Sequence, residues 1–442
     1  MGIQRKAKEL DSCFRRNDIN SYSAAFCAEA YEIKMADLDK TDILIGIASY
    51  NNAKTIDHVV RAVDAGLAKY FSDKKAVIIN SDGSSKDGTQ DIVKTAALDH
   101  AAMFLTYPVY PAHRISMPYN GIPGKGSAFK LIFQKAVEMQ ADACCVIDAD
   151  LRSITPEWIE LLLSPIIKGG FDFAAPLYSR HKYDGTITNS IVYPMTRALY
   201  GQRVRQPIGG DFGFSGRLAE FYLKQDVWET HVARFGIDIW MTTEAIANGF
   251  KVCQTFLGAK IHDPKDPGSD LSDMLVQVVV TLFNLTERHY QKWKEIKDSK
   301  EVPTCGFRYH VGLEPVKVNI GKMLDIFRTG ISNLKPLWTE IMGQGDFGEI
   351  EKIGGLSDRE FRFPAGLWTG VVYDYAIAYH KKMMSSEHLI KSLTPLYLGR
   401  AASFMMEVEE MEHHKVEEEI EKVCLEFESQ KDYLINNWQG GS

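Results

Sequence analysis

No CxxC pair occurs among the seven cysteines (Cys13, Cys27, Cys144, Cys145, Cys253, Cys305 and Cys424), which are scattered and odd in number. A chain of 442 residues needs no disulfide framework, so free thiols in a reducing cytosol are the expected state. A long apolar run is lacking too. The longest, Met274 to Leu285, is interrupted by Gln277 and is too short to span a bilayer. The basic opening MGIQRKAKELDSCFRRND has no apolar stretch behind it, which argues against a secretory leader. There is no excess of positive charge. A net charge of -7 excludes a general nucleic-acid binder while leaving room for a local basic pocket that holds phosphates. Repeats, heptad runs and low-complexity linkers are also missing. These absences predict a cytoplasmic protein with no transmembrane segment and no nucleic-acid partner.

What is present is ordinary globular material, 45% hydrophobic and 25% charged, long enough for two or three domains. Residues 1–34 show no clear period and read as a poorly ordered extension, with Met35 just ahead of the first strong strand. From Asp42 strands and helices alternate. Ile43–Ala48 reads as a buried strand, and a helix over about 55–70 follows, with Val59, Val60, Val63 and Leu67 at helical spacing. A second strand at Ala76–Ile79 runs into the turn Asp82-Gly83-Ser84-Ser85, and a helix begins near Asp87. A third strand is expected near Ala102–Thr106, a helix after Gly126, and a strand at Ala143–Ile147. Such alternation implies a parallel sheet with ligands at the carboxyl ends of its strands. Beyond about residue 271 the pattern is mainly helical. In the charged segment Met406–Gln430, Val408, Met411, Val416, Ile420 and Cys424 form one apolar face, and His413-His414 belong to a solvated one.

Three motifs carry chemistry. Asp148-Ala149-Asp150 closes a strand of small and apolar residues. A lone pair of acids at this spacing is more often solvated loop than site, but a place at the carboxyl edge of a buried strand reverses that balance. Hard carboxylate oxygens suit Mg²⁺ or Mn²⁺, which keep waters and bridge to phosphates. Asp82 closes the second strand, where a carboxylate can receive a ribose or base, although taken alone a turn and helix cap account for it better. In Gly121-Ile122-Pro123-Gly124-Lys125-Gly126, the glycines permit close backbone approach and Lys125 offers a point charge to a diphosphate. The Walker spacing is absent.

A strand with Ser49-Tyr50-Asn51-Asn52, then DGSSKDGT, GKG and DAD, resembles the layout of GT-A glycosyltransferases of the broad family-2 set. The segments Pro176–Arg180, Asp184–Thr188, Gln206–Asp211, Gly236–Ile239 and Ile261–Asp263 narrow the resemblance to mannosylglycerate synthase and its relatives, the glucosylglycerate and glucosyl-3-phosphoglycerate synthases. It covers roughly residues 42–270, and its specificity lies in five or six motifs in order. The resemblance implies an α/β fold of GT-A type, a Rossmann-like mixed sheet flanked by helices, with a catalytic domain over 35–270 and a helical C-terminal domain over 271–442. It implies metal ligation by Asp150 and His262 with Asp148 beside them. It implies nucleotide-sugar binding by Ser49, Asn51, Asp82, Lys125, Asp148, Gly210 and Asp211. Acceptor binding falls to Arg180, Asp184, Gly185, Thr186 and Thr188. Asp238, Arg180 and Lys125 stand as the catalytic set. The partners implied are a GDP- or UDP-hexose and a small carboxylate such as glycerate, the cofactor a divalent cation, and the C-terminal helices offer a surface for a homo-oligomer.

Bland readings stand beside these: His262 as a core histidine, Arg180 as a structural ion pair, Asp238 as a helix cap and Asp211 as a loop acid. Phosphoglycerate-specific relatives carry an arginine after the glycine of the acceptor loop, where it meets a phosphate bidentately. Here that position is Thr186, which favours unphosphorylated glycerate. The resemblance also implies transfer with retention of configuration. Three rivals are disfavoured. A processive polysaccharide synthase lacks its QxxRW motif, a nucleotidyltransferase lacks a glycine-rich loop after the first strand, and an idle sugar-nucleotide-binding scaffold would not need the intact acids, lysine and histidine.

Overall fold

The computed structural model describes residues 40–96, 112–261, 272–309 and 311–439. In chain order the elements are β1 (Ile43–Ser49), α1 (Ile56–Tyr70), β2 (Ala76–Asp82), α2 (Thr89–Thr95), β3 (His113–Pro118), α3 (Lys125–Glu138), β4 (Ala143–Asp148), α4 (Pro156–Ile167) and β5 (Phe173–Ser179). A π-helical turn (Thr188–Val192) leads into α5 (Tyr193–Tyr200), β6 (Gln202–Arg203), β7 (Phe212–Ser215), α6 (Gly216–Leu223), α7 (Ile237–Ala247) and β8 (Val252–Ala259). Then come α8 (Ser272–Arg288), α9 (Tyr290–Trp293), the short β9 (Lys300–Glu301) and β10 (Thr304–Cys305), and five helices: α10 (Ile320–Gly354), α11 (Ala365–His380), α12 (Ser386–Glu407), α13 (His413–Ser429) and α14 (Lys431–Gln439). The expected strand at Ala102–Thr106 and the expected extension at 1–34 lie outside the described residues, as does His262.

The main sheet runs in the order β10-β8-β5-β7-β4-β1-β2-β3. It is parallel except for β7, which runs against both β4 and β5, so the sheet is mixed. The alternation of side chains divides two cores. Ile43, Ile45 and Ile47 of β1 meet α1 and α4 on one face, while Leu44 of the same strand meets α3 on the other. Both faces are covered, which is why the strands read as continuous apolar runs. Val59, Val60, Val63 and Leu67 are buried as their spacing predicts. The register of β1 with β2 and β4 brings Ser49 beside Asp82 and Ala48 beside Asp148. The carboxyl ends of three strands therefore share one edge.

The helical C-terminal region is continuous with the α3-side core through Phe327, Trp368 and Leu393. It also adds β10 to the sheet beside β8. The 408–430 apolar face exists, but the helix is interrupted between α12 and α13. Val408, Val416, Ile420 and Cys424 pack with Tyr193 and Phe404, and Met411 lies against them. No helix among the described residues is long and apolar enough to cross a membrane.

Candidate active site

A cavity of about 770 Å³ opens at the carboxyl edge of β1 and β4. That size suits a drug-sized or nucleotide-sized ligand. Its walls include Ser49, Lys125, Asp148, Asp150, Arg180, Asp184, Gly185, Thr186, Thr188, Gly210 and Asp238, so most residues singled out from the sequence meet in one place. Asn51, Asp82 and Asp211 do not line it.

The centre is an ion-pair network. Asp148, the last residue of β4, is held at both oxygens. Lys125 reaches Oδ1 at 2.7 Å and Lys260 reaches Oδ2 at 2.7 Å. Lys260 also donates to Asp211 Oδ2 at 2.8 Å and to the Gly209 carbonyl at 2.8 Å, so its three protons have three acceptors. Asp211 is fully buried. It accepts from the Asp148 backbone N–H at 2.8 Å and from the Tyr178 hydroxyl, which its place just ahead of the reversed strand β7 makes feasible. Burial opposes charge on Asp148, but Lys125 and Lys260 outweigh it and hold the carboxyl well below the usual range. Burial pushes Asp211 and Asp238 up, with their lysine partners acting against it. Both lysines stay above their ordinary value, because neighbouring carboxylates outweigh the burial that disfavours their charge.

Gly209 and Gly210 make this closeness feasible. Gly210 has φ +95°, and a Cβ there would lie 2.3 Å from Asp148 Oδ2. A Cβ on Gly209 would strike Pro176 at 2.2 Å. The glycines around Lys125 serve a different neighbour from the one expected. Cβ atoms on Gly124 and Gly126 would collide with the backbone of Val232–Arg234, so these glycines seat the start of α3 against protein rather than against a ligand. Lys125 itself spans Asp148, Asp238 (3.1 Å) and, at 3.5 Å, the Gly210 carbonyl. Asp238 stands in the first turn of α7 and keeps Oδ1 buried without a hydrogen-bond partner among the described residues.

Asp82 is wholly engaged by protein. It accepts from Ser49 Oγ (2.9 Å), the Ser85 N–H (2.7 Å), Ser85 Oγ (2.6 Å) and Gln90 Nε2 (2.7 Å), while the adjacent Gly83 lines the cavity. Asn51 sits at φ 54° and accepts from the Lys86 N–H, tying its loop to the turn after β2.

Just past β5, Arg180 pairs with Asp184 at 3.1 Å, and its Nε is buried with no partner among the described residues. Thr186 Oγ1 meets Tyr397 OH of α12 at 2.5 Å. The π-helical turn that follows is fixed by Trp368, whose Nε1 donates to the Ser190 carbonyl at 2.7 Å. Such turns are frequent at functional sites. Leu313–Val316, from the segment ahead of α10, complete the wall.

Asp150 lines the cavity and makes no hydrogen bond or ion pair with another described residue. Among the described residues no three His, Cys, Asp or Glu side chains gather as a ready cation cage. A Mg²⁺ or Mn²⁺ ion bound largely through phosphates and water needs only one or two carboxylates, and Asp150 meets that requirement. The chain next to His262 is pinned beside the Asp150 loop, since the Arg152 N–H donates to Ile261 O and Ile261 N–H donates to Ser153 Oγ, both at 2.9 Å.

Sequence reading missed Lys260 and Tyr397. The signal for Lys260 was a lysine directly after the apolar strand VCQTFLGA at the ligand edge. Nothing local announced Tyr397, which is 211 residues from Thr186.

Residues 44–226 match the family model "Glycosyl transferase family 2". That segment is a glycosyltransferase domain of GT-A type, in keeping with the mixed sheet and its helical layers. Among solved structures, the chain is similar to glucosyl-3-phosphoglycerate synthase from Mycobacterium tuberculosis in complex with Mn²⁺, UDP and glucosyl-3-phosphoglycerate, at 18% identity over 58% of this chain and 84% of that one, TM-score 0.42. The same enzyme with Mn²⁺, UDP-glucose and phosphoglyceric acid matches at 19% identity over 57% and 83%, TM-score 0.41. A structure described as a mycobacterial protein matches at 19% identity over 59% and 78%, TM-score 0.41. No curated protein matches the chain.

Proposed function

We propose that this glycosyltransferase domain moves a hexose, glucose or mannose, from a nucleotide-diphosphate sugar to D-glycerate, with retention of configuration and with a divalent cation. The observation that carries the reading is that one cavity is lined by two groups of different chemistry. Lys125 and Asp150 belong to one, and Arg180 with the Asp184–Thr188 loop belongs to the other.

The charge balance supports a cation. Asp148, Asp211 and Asp238 face two lysines, and Asp150 adds a further carboxylate. A diphosphate entering such a site requires positive charge beyond what the protein supplies. Asp150, with His262 and the diphosphate itself, would hold the ion, which when bound neutralises the leaving group. Lys125 makes only a long contact to the Gly210 carbonyl with its third proton, so it has capacity to donate to the diphosphate as charge develops there. Asp238 Oδ1, lacking a partner, accepts a sugar or acceptor hydroxyl and faces the anomeric carbon as it becomes positive. Arg180 turns from Asp184 to the acceptor carboxylate, and the positive-φ Gly185 lets the loop follow the acceptor closely. Thr186 in place of an arginine favours an acceptor without phosphate.

The test is a donor-by-acceptor matrix: GDP- and UDP-linked glucose and mannose against D-glycerate and 3-phosphoglycerate, with Mg²⁺, Mn²⁺ or chelator. Transfer to glycerate that chelator abolishes, with the donor's anomeric configuration kept by NMR, is the expected result. Transfer only to 3-phosphoglycerate would overturn the acceptor, and an inverted product would overturn retention. No turnover of any sugar nucleotide would overturn the whole reading.

A further inference from the structure

We infer that Lys260 is a built-in cation that competes with the divalent ion for Asp148, so that the metal engages this site through Asp150 while Asp148 serves as a bridge between two lysines. The inference rests on reading the cavity as the sugar-nucleotide site. Its grounds are geometric. Asp148 has two carboxylate oxygens, and each is taken by a lysine at 2.7 Å. The two lysines are not equivalent. Lys260 is buried and saturated by Asp148, Asp211 and the Gly209 carbonyl, whereas Lys125 is left with one long contact.

Lys260 is also locked from outside. The pairing of β5 with β8 slips by one residue between Leu177 and Tyr178, at Leu257–Gly258, and such a slip changes which side chains face the site. The Tyr178 ring lies 5.2 Å from the Lys260 ammonium and its hydroxyl holds Asp211, and the ammonium cannot withdraw from the site without stranding the buried Asp211 carboxylate. Asp150 has no such competitor among the described residues. Within the Asp148-Ala149-Asp150 motif the acids therefore divide their work: Asp148 orients Lys125, and Asp150 remains open to the ion.

Mn²⁺ affinity, read by electron paramagnetic resonance on the full chain with Mn²⁺ alone and then with UDP, tests this without turnover. Lys260→Met should tighten Mn²⁺ binding by about tenfold or more, since removing a unit charge near the ion strongly favours it. That variant strands Asp211, so Lys260→Met/Asp211→Asn is the companion. It keeps the local net charge unchanged while freeing the Asp148 oxygen along with the Gly209 carbonyl, and it should still bind Mn²⁺ several-fold tighter than the native chain. Asp148→Asn should weaken Mn²⁺ binding through the lost unit charge alone, by clearly less than Asp150→Asn, which should lose it. Unchanged or weaker binding in the double variant, or loss of binding in Asp148→Asn equal to that in Asp150→Asn, would overturn the competition. These readouts are independent of sugar transfer. Tightened Mn²⁺ binding in a chain that turns over no sugar nucleotide would refute the proposed function and leave this inference standing.

Discussion

Gly210→Ala adds one methyl group and removes no functional one, yet it should cripple the site. Two effects combine. At φ +95° an alanine is strained by about 1–3 kcal/mol, outside even the left-handed region that non-glycine residues tolerate. Its Cβ would also lie 2.3 Å from Asp148 Oδ2 and 2.9 Å from Lys260 Nζ. Ordinary contact requires roughly 1 Å of movement. Neither group yields freely, because Asp148 is clamped by two lysines and Lys260 by three acceptors. A displacement of that size near reacting groups costs on the order of 10²-fold in rate. The expected outcome is a loss of about 2–4 kcal/mol in urea unfolding together with a fall of about 10²-fold in kcat/KM for the sugar nucleotide. Gly249→Ala is the control. Gly249 also has positive φ, +75°, but nothing lies within 4 Å of its would-be Cβ, so that variant should lose only about 1–2 kcal/mol and keep its activity. Native kcat/KM in Gly210→Ala, or equal inactivation of the Gly249 variant, would refute the reasoning.

Arg180→Ala should raise the acceptor KM by about 10- to 100-fold, the worth of a charge-assisted hydrogen bond to a carboxylate, with the donor KM nearly unchanged; equal damage to both constants would remove Arg180 from the acceptor side. Tyr397→Phe takes away the partner of buried Thr186 and should cost about 1–2 kcal/mol of stability and raise the acceptor KM several-fold, so an unaltered acceptor KM would show that the loop does not depend on α12. Burial pushes the Asp374 carboxyl up to about 7, the Tyr433 hydroxyl acting in the opposite direction. The folded value lies above the unfolded one of about 3.9, so the stabilisation is complete below roughly pH 4 and is lost as pH rises towards 7. Unfolding free energy of the native chain relative to Asp374→Asn should then fall by up to about 1.4 kcal/mol per pH unit across that window, and a flat difference would exclude the titration.

The parts of the site written in short stretches were legible before the structure. Asp148 and Asp150 follow a strand whose apolar composition marks it as buried, and Lys125 opens a helix whose start is marked by glycines. Chemistry set by long-range pairing was not. Asp82 looked free to hold a nucleoside because its turn is visible locally, but one of its partners, Ser49, arrives from a neighbouring strand through parallel register. Lys260 depends on a one-residue slip that composition does not encode. The glycines beside Lys125 were correctly read as marking close approach, but which surface approaches is decided by the packing of Val232–Arg234. The reversal of β7 was equally hidden in a four-residue strand, and it puts Asp211 beneath Asp148.

On the proposed function, the helical C-terminal region forms part of the acceptor side of the cavity. Thr186 is held by Tyr397, Ser190 by Trp368, and Lys182 reaches the carbonyls of Val408, Glu409 and Met411 between α12 and α13. Behind them Arg197 is fully buried and bridges Glu421 and Glu428, and Arg205 holds Glu417. Truncating one partner of such a buried pair is far more costly than its net contribution suggests, because the other charge is left desolvated. The nucleotide side of that reading draws its geometry from β1, β2 and β4, whose strand neighbours all fall before residue 261, whereas the loop assigned to the acceptor takes fixed points from residues beyond 365. The proposed function therefore has its two substrates positioned by different parts of the chain. It predicts that changes in the helical region alter acceptor use while leaving Lys125, Asp148 and Asp150 in place.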